Sequence, residues 1–210
     1  MEGYELFVSV GPNPRVARMY AAERGLTLAE TEVDIGAGEN RRPPYRDLNP
    51  SGDTPALRRP DGSVLAEATV ICEHLEELSG PSSLIGETAA ARAKTRMWVR
   101  RIDLKVVQPF TGGFRYGPAL PFFQPRVHCI PQASDDLFEI AREGLEWLEA
   151  QVSEQPYVVG ETFTLADIVL FCFLDFNKER VGRPMTNGLS WISAWFDRVA
   201  ERPSAAATRR

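Results

Sequence analysis

A strand, a helix and a second strand follow one another within residues 4–35, and this order constrains the fold more than any other feature of the sequence. The apolar run at residues 4–9 predicts the first strand, and the alternation over residues 26–35 predicts the second. Between them the sequence predicts a helix over residues 14–24, which the following glycine ends. Because such crossovers are right-handed, the two strands are expected to pair in parallel.

The junction between the first strand and this helix is stiff, since Gly11, Pro12 and Pro14 surround Asn13. Asn13 suits the N-cap, and Pro14 suits the first helical position, where its missing N–H costs nothing. No serine, cysteine or tyrosine lies between Gly11 and Met19. The junction therefore lacks the side chains that usually activate a nucleophile.

The chain then returns to strands before its next helix. A polar stretch over residues 36–52 is predicted to be loop with one short helix. Asp61-Gly62 predicts a hairpin turn between two short strands, which begin at Thr54 and Ser63. A helix over residues 67–78 follows. The predicted fold class of this half is α/β, with the order βαβ–ββα.

The second half needs no strand, because its apolar residues recur at helical spacing. Helices are predicted over residues 89–108, 135–152, 166–177 and 189–200. The stretch FTLADI at residues 163–168 predicts a capping box with a hydrophobic staple, and its expected role is to start a buried helix.

The change of pattern also predicts the domain organisation. Residues 1–80 are expected to form the α/β domain, and the Gly-, Pro- and Ser-rich residues 81–87 a linker. Residues 88–203 are expected to form an all-helical domain, and residues 204–210 a flexible tail.

Composition excludes several kinds of partner and chemistry. The net charge of −5 gives no electrostatic footprint for nucleic acid. Three widely spaced cysteines and two histidines make no metal-ligand or disulfide pattern, so no metal is expected. There is no signal peptide and no apolar run of about 18 residues, which predicts a cytoplasmic protein without a membrane partner.

Two local features have open interpretations when taken alone. Thr54-Pro55, which follows a glycine-containing loop, fits either a cis peptide bond or an edge-strand proline. Glu67 lies at a predicted helix start, where the first N–H groups have no intrahelical partner and can bind an anion. One interpretation places Glu67 beside such an anion site. The other is that its negative charge only complements the positive end of the helix dipole.

Together, the element order and these motifs resemble one family, the glutathione S-transferases, over nearly the whole chain. The likeness is carried by GPNPRVARMYAAERGL, GENRRPPYRDLNPSGDTPAL, DGSVLAEATVICEHLEEL and PYVVGETFTLADI. Within the family the chain looks most similar to bacterial and fungal branches near the plant phi type. The resemblance implies a thioredoxin-like N-terminal domain that binds glutathione and a helical domain that supplies most of the electrophile pocket.

Matching motifs imply the glutathione contacts. Asn40 and Arg41 stand where the family contacts the glycyl carboxylate, and the guanidinium supplies the charge for that role. Thr54, before the expected cis Pro55, would pair its backbone with the cysteinyl segment. Asp53 stands where lysine or glutamine is common, so it either repels a carboxylate or accepts from the ammonium group.

The γ-glutamyl end is implied to lie at the next helix start. Glu67 would meet the ammonium group, and the N–H groups of Ala68 and Thr69 would meet the carboxylate. The family usually has serine at the position of Ala68, so one hydroxyl contact is absent while the backbone N–H remains.

The catalytic position departs most from the family, which places serine, tyrosine or cysteine there. Alignment of the first helix puts Asn13 at the serine position. The hypothesis is that the Asn13 amide, a backbone N–H near Gly11 or a held water activates the glutathione thiol, with Ser9 and Thr111 as secondary candidates. A simple N-cap role for Asn13 is the open alternative, and the missing cysteine argues against thiol-exchange and reductase branches.

An aromatic segment is expected on the electrophile side. Its candidate pocket residues are Phe110, Phe114, Arg115 and Tyr116. Packing within the protein is the equal alternative for the rings, while Arg115 and Tyr116 are the polar groups that would orient a substrate.

The function implied is that of a glutathione transferase, an enzyme of detoxification that joins glutathione, its co-substrate, to small hydrophobic electrophiles. The alternatives are a non-catalytic binding protein of the same fold, or a related glutathione-dependent lyase, isomerase or peroxidase. The family also implies a homodimer.

Overall fold

The computed structural model describes residues 1–209, which divide into two compact units. One unit contains Met1–Ile85 together with the residues from Glu201 onward, and the other contains Gly86–Ala200. The division between Ile85 and Gly86 falls within residues 81–87, the stretch rich in glycine, proline and serine.

The first unit is built on a four-stranded mixed sheet. Its elements are β1 (Glu5–Val8), α1 (Pro12–Glu23), β2 (Ala29–Glu32), α2 (Tyr45–Leu48), β3 (Ala56–Arg58), β4 (Val64–Ala66) and α3 (Ala68–Ser79). The strand order is β2-β1-β3-β4. β1 pairs in parallel with β2, whereas β3 is antiparallel to both β1 and β4. The predicted α/β class and its βαβ–ββα order are confirmed.

The register of the strands brings several chain segments to one edge of the sheet. Val8 pairs with Glu32, while Ala56 pairs with both Phe7 and Ala66. The C-terminal ends of β1, β2 and β4 therefore lie at the same edge as the N-terminal end of β3. The segments that leave or enter the sheet at this edge carry most of the candidate site residues.

α1 and α3 pack against each other and share a buried polar network. The Tyr20 hydroxyl donates to Glu76 Oε2 at 2.5 Å, and the Arg24 Nε lies 3.2 Å from the same oxygen. The Ser82 N–H donates to the other carboxylate oxygen at 2.6 Å. Burial first, and the Glu76 carboxylate second, raise the pKa of Tyr20, so the phenol remains a donor.

The second unit is helical throughout its regular structure. Its elements are α4 (Ala89–Ile102), α5 (Gln108–Tyr116), α6 (Leu120–Phe123), α7 (Ser134–Val152), α8 (Leu165–Phe176) and α9 (Ser190–Ala200). The single helix predicted over residues 89–108 is wrong in one respect, because a π-helical segment, Asp103–Val107, separates α4 from α5. The backbone at that segment passes close to α7, where a side chain at Gly144 would overlap the Lys105 carbonyl.

The predicted capping box is confirmed at the start of α8. Asp167 is fully buried and accepts from the Thr164 N–H at 2.9 Å and from the Thr164 hydroxyl at 3.0 Å. The Val158 N–H and the Trp195 ring N–H donate to its other oxygen at 2.9 and 2.8 Å. This carboxylate therefore fixes a loop, a helix start and a tryptophan of α9 at once.

The expected flexible tail is wrong over the residues the structure describes. A tenth helix, α10 (Pro203–Ala207), belongs to the first unit and packs on α1. Arg202 forms two hydrogen bonds with Glu23 at 2.8 and 2.7 Å, and the Ser204 hydroxyl also donates to Glu23. Side chains of α1 hold this segment, which is why a small-residue sequence remains helical there.

Candidate functional site

The candidate site of the first unit lies at the shared sheet edge defined by the register. Ser9 follows β1, Thr54 precedes β3, and Glu67 follows β4. The side chains of Ser9 and Thr54 meet, with 2.6 Å between their hydroxyl oxygens. Two candidate residues 45 positions apart in sequence are thus joined directly.

The first helix begins earlier than the sequence predicts, and Asn13 is not its N-cap. Gly11 is the N-cap, Pro12 is the first helical residue and Asn13 the second. Pro12 has the same suitability for the first turn as Pro14, because both have a fixed φ and no N–H to satisfy. The Asn13 side chain is exposed and makes no hydrogen bond within residues 1–209.

This start leaves few donors at the helix N-terminus. The first four N–H positions of a helix have no intrahelical partner, and here two of those four residues are Pro12 and Pro14. Only the N–H groups of Gly11 and Asn13 remain. The helix dipole therefore acts through two backbone donors at this end, with the Asn13 amide beside them.

Ser9 is buried and hydrogen-bonded within the fold. Its side chain is 5% exposed, and its oxygen contacts both Thr54 Oγ1 and, at 3.4 Å, the Val10 carbonyl. The Thr54–Pro55 peptide bond that follows is cis, which is one of the two interpretations left open by the sequence.

The turn before Thr54 is held by side chains that no sequence motif marks. The Tyr45 hydroxyl and the Asn49 amide both donate to the Asp53 carbonyl, at 2.5 and 2.8 Å. The Asp53 N–H donates to Ser51 Oγ at 3.2 Å, while the Asp53 carboxylate is exposed. Polar residues spaced through residues 45–51 were the available signal, but their common target is visible only in the fold.

Asn40 and Arg41 lie beside this turn and differ in role. Asn40 is 7% exposed and donates to the Gly52 carbonyl at 2.7 Å, so it joins the two loops. Its side-chain oxygen is buried and has no hydrogen-bond partner within residues 1–209. Arg41 is exposed, and no ion pair involves it in that part of the chain. The guanidinium is thus available to an anion from outside.

Glu67 carries the most unusual backbone of the site. Its φ of 68° makes it the only non-glycine residue with positive φ among residues 1–209. It is the N-cap of α3, and its side chain does not cap the helix. The N–H groups of Ala68 and Thr69 are consequently without intrahelical partners. Strained, non-glycine backbone of this kind is concentrated at ligand sites.

In the second unit, the aromatic residues of the predicted pocket have unequal environments. Phe110 is 2% exposed and its ring contacts those of Phe138, Phe173 and Phe176, which favours the packing interpretation for this residue. Phe114 stacks on Phe110 and is partly exposed.

The polar candidates of this unit lie on the same helix as these rings. Arg115 and Tyr116 are partly exposed on α5, which also carries the partly exposed Thr111. Thr111 belongs to the second unit, whereas Ser9, Gly11 and Asn13 belong to the first.

The site and sheet define a class of protein: a thioredoxin-like domain followed by a helical domain. The family model for the glutathione S-transferase N-terminal domain matches residues 10–78, and that for the C-terminal domain matches residues 120–203. A Fusarium protein named glutathione S-transferase-like protein LUC7 is 32% identical over 75% of this chain and 70% of its own length. The chain belongs to the glutathione S-transferase family.

Other relatives agree in length as well as in fold. Glutathione S-transferase 2 of Saccharomyces cerevisiae is 27% identical over 92% of this chain and 84% of its own length. The crystal structure of Gtt2 from the same yeast has a TM-score of 0.89 and 25% identity, covering 98% of this chain and 100% of that one.

The chain is also similar to proteins with other names. Protein LigF of Sphingobium is 28% identical over 93% of this chain and 89% of its own length. Probable elongation factor 1-gamma 1 of Arabidopsis thaliana is 26% identical over 88% of this chain but only 45% of its own length. The similarity therefore establishes the fold and the family, but it does not identify the reaction. The reaction is argued from the residues of the site.

Two further features are absent from the part of the chain that the structure describes. Within residues 1–209, no group of histidine, cysteine and carboxylate side chains is arranged to hold a metal ion. In the same residues, no helix combines the length and apolar character needed to cross a bilayer.

Proposed function

We propose that this protein is a glutathione transferase that joins the glutathione thiol to small hydrophobic electrophiles. The observation that carries the proposal is the convergence of Thr54, Glu67 and the starts of α1 and α3 at one edge of the sheet. That edge offers backbone donors and both signs of charge, which is what a tripeptide with two carboxylates and one ammonium group requires.

The charges available fit the two ends of glutathione. Arg41, exposed and without an ion pair in residues 1–209, would take the glycyl carboxylate, next to Asn40. At the other end, the unpartnered N–H groups of Ala68 and Thr69 would take the γ-glutamyl carboxylate. Glu67 would meet the ammonium group.

The middle of the tripeptide would pair with backbone. Thr54 precedes the cis Pro55 and follows a turn fixed through the Asp53 carbonyl. An extended peptide can add to such a segment like a further strand. We assign Thr54 and Pro55 to this role. The exposed Asp53 carboxylate would add negative charge beside the bound tripeptide.

Thiol activation is assigned to the start of α1. The N–H groups of Gly11 and Asn13, with the Asn13 amide, are the donors there. Helix N-termini lower the pKa of a thiol from about 8.5 into a range of about 3.5–7.5, so a hydroxyl is not required. Because Ser9 is tied to Thr54, we rank it below Asn13 and Gly11.

The second candidate function is a binding protein of this fold without catalysis. The specific observations that favour it are the absence of a hydroxyl at Asn13 and the presence of Ala68 and Asp53. A related glutathione-dependent lyase, isomerase or peroxidase is the third candidate. We further propose a cytoplasmic homodimer acting in detoxification.

Calorimetric titration with glutathione, followed by the thiolate absorbance of the complex against pH, separates these functions. We expect binding at millimolar or lower glutathione and a thiol pKa below the free value of about 8.5. No binding at millimolar glutathione would overturn the proposal, and binding with an unshifted thiol pKa would favour the non-catalytic protein.

Asn13→Ala tests the contribution of the amide. If the side chain stabilises the thiolate, conjugation slows about 10-fold, the effect of one lost donor to an anion. The matched control is Asn187→Ala, an exposed asparagine in the second unit. If the conjugation rate of Asn13→Ala is unchanged, the backbone N–H groups, and not the Asn13 side chain, stabilise the thiolate.

A further inference from the structure

A long segment of the second unit carries positive charge without any carboxylate. No aspartate or glutamate lies between Asp103 and Asp135, whereas Lys105, Arg115 and Arg126 lie there. The whole chain has 29 acidic against 24 basic residues, so this segment opposes the overall balance. Within the segment itself, no carboxylate offsets these three positive charges.

The same segment presents aromatic rings that the core does not fully cover. Phe114, Phe122 and Phe123 are each partly exposed, in contrast to the buried Phe110. Phe123 is edge-to-face with both Phe114 and Phe122, at centroid distances of 6.1 and 4.9 Å. Phe114 is in turn supported by Phe176 at 5.2 Å. The three rings therefore form a partly exposed surface anchored in the core.

Two guanidinium groups lie over these rings. Arg115 is centred 5.4 Å from the Phe123 ring, and Arg126 is 3.5 Å from the Phe122 ring. A guanidinium that lies over a ring can still donate its N–H groups to an anion. Arg115 forms no ion pair or hydrogen bond within residues 1–209, so these donors are available.

We propose that this surface, formed by Phe114, Phe122, Phe123 and Arg115, selects aromatic electrophiles that carry an anionic group such as a carboxylate. The aromatic ring of the substrate packs on the phenylalanine rings, and the anion accepts two N–H bonds from Arg115. This inference rests on the proposed transferase function and specifies its substrate class.

The chemistry of the proposed step is aromatic substitution. The glutathione thiolate attacks the ring carbon that carries chlorine, the C–S bond forms, and the C–Cl bond breaks with its electron pair leaving as chloride. The thiol proton goes to solvent. Arg115 touches the carboxylate and takes no part in the bonds that change, so it determines specificity.

Two substrates that differ in their negative charge show how much that charge contributes to recognition. We would measure kcat/KM for 4-chloro-3,5-dinitrobenzoate and for the neutral 4-chloro-3,5-dinitrobenzamide, with the wild type and Arg115→Gln. The benzoate-to-benzamide ratio should fall about 10-fold in the variant, as expected for one lost charge-assisted pair. Taking the ratio between proteins removes the different intrinsic reactivities of the two substrates.

Two further variants control for charge and geometry. Lys94→Gln removes an exposed positive charge from α4 of the same unit and should leave the ratio unchanged. Arg115→Lys keeps the charge but loses the planar pair of donors, so the ratio should be intermediate. An unchanged ratio in Arg115→Gln, or an equal fall in Lys94→Gln, would overturn the inference.

Direct binding keeps the inference testable if no conjugation occurs. Unreactive 3,5-dinitrobenzoate and 3,5-dinitrobenzamide are titrated by calorimetry into the wild type and Arg115→Gln, after circular dichroism shows that both are folded. Tighter binding of the benzoate that is lost in the variant supports the surface even if the transferase proposal fails. Equal binding of the two compounds to the wild type overturns it.

Discussion

The backbone of Glu67 predicts a conflict between stability and binding at a single residue. A φ of 68° is unfavourable for glutamate because of its Cβ, a steric penalty that glycine does not have. We therefore expect Glu67→Gly to raise the free energy of unfolding by about 1 kcal/mol, or to leave it unchanged, while glutathione affinity falls because the carboxylate is lost. Urea unfolding and calorimetry measure the two effects on the same samples.

Glu67→Gln separates charge from backbone in this prediction. It keeps the strained conformation and removes only the negative charge, so affinity should fall without a gain in stability. Equal glutathione affinity in all three proteins would contradict the contact between Glu67 and the ammonium group.

Substitution of Gly11 tests the cost of its backbone conformation alone, because there is room for an added side-chain carbon. Its φ is 146° and ψ is 166°, a region essentially restricted to glycine, although an added Cβ would meet only Pro14 at 3.9 Å. Gly11→Ala should therefore lower the free energy of unfolding by about 1–3 kcal/mol. Gly38→Asn is the control, since φ 74° and ψ 24° suit asparagine and the space is open. Similar urea midpoints for Gly11→Ala and the wild type would contradict this assignment.

Asp167 predicts the largest loss of stability of any single change considered. Its removal leaves four buried donors, from Val158, Thr164 and Trp195, without a hydrogen-bond acceptor. At about 1–3 kcal/mol for an unsatisfied donor, Asp167→Ala should cost about 3–5 kcal/mol of unfolding free energy. The exposed Asp197→Ala of α9 is the control, within about 0.5 kcal/mol of the wild type by urea unfolding.

At the scale of elements, the attachment of α10 to α1 should depend on pH. Burial opposes the ionisation of Glu23, but hydrogen bonds from Arg202 and Ser204 prevail and hold its pKa below the ordinary value of 4.5. An acid with a depressed pKa in the folded state contributes stability above the unfolded pKa. That contribution is lost as the pH falls through the lower, folded value.

Glu23→Gln is therefore expected to weaken the decrease in unfolding free energy at acidic pH. Urea unfolding from neutral pH to about pH 4 and below should show a smaller loss in the variant than in the wild type. Glu2→Gln, an exposed carboxylate of the same unit, should follow the wild type. A variant curve parallel to the wild-type curve would mean that Glu23 titrates alike in both states.

The elements that the sequence predicts well are those with local signals. The capping box at Thr164 and Asp167 and the turn at Asp61-Gly62 depend on residues within a few positions of one another. The sequence does not fix the start of α1, because Pro12 and Pro14 both fit the first turn. α10 was missed because its partner Glu23 lies about 180 positions away, a distance that no periodicity spans.

At the scale of the whole molecule, the family resemblance implied that Thr54 and Glu67 serve one ligand, but it did not indicate how the fold brings the site together. The pairing of Ser9 with Thr54, and the placement of Glu67 at the same edge, follow from strand register, which short strands do not specify alone. The donors on the Asp53 carbonyl were equally unpredictable, because Tyr45 and Asn49 converge only after the loop folds.

The homodimer is the remaining prediction at this scale, and α3 offers a surface for it. Val70 and Leu78 are 47% and 46% exposed, and His74 lies between them at helical spacing. We take this stripe on α3 as the candidate surface for the homodimer. Analytical ultracentrifugation should therefore give twice the 23.4 kDa chain mass.

A charged residue within this stripe should dissociate the dimer. Leu78→Asp buries an unpaired carboxylate if α3 lies in the interface, so the sedimentation equilibrium shifts toward the monomer. Ile140→Asp on α7, at an equally exposed apolar position of 47%, should remain dimeric. A monomeric wild type would refute the homodimer, and a Leu78→Asp dimer of unchanged affinity would exclude the stripe on α3 from the interface.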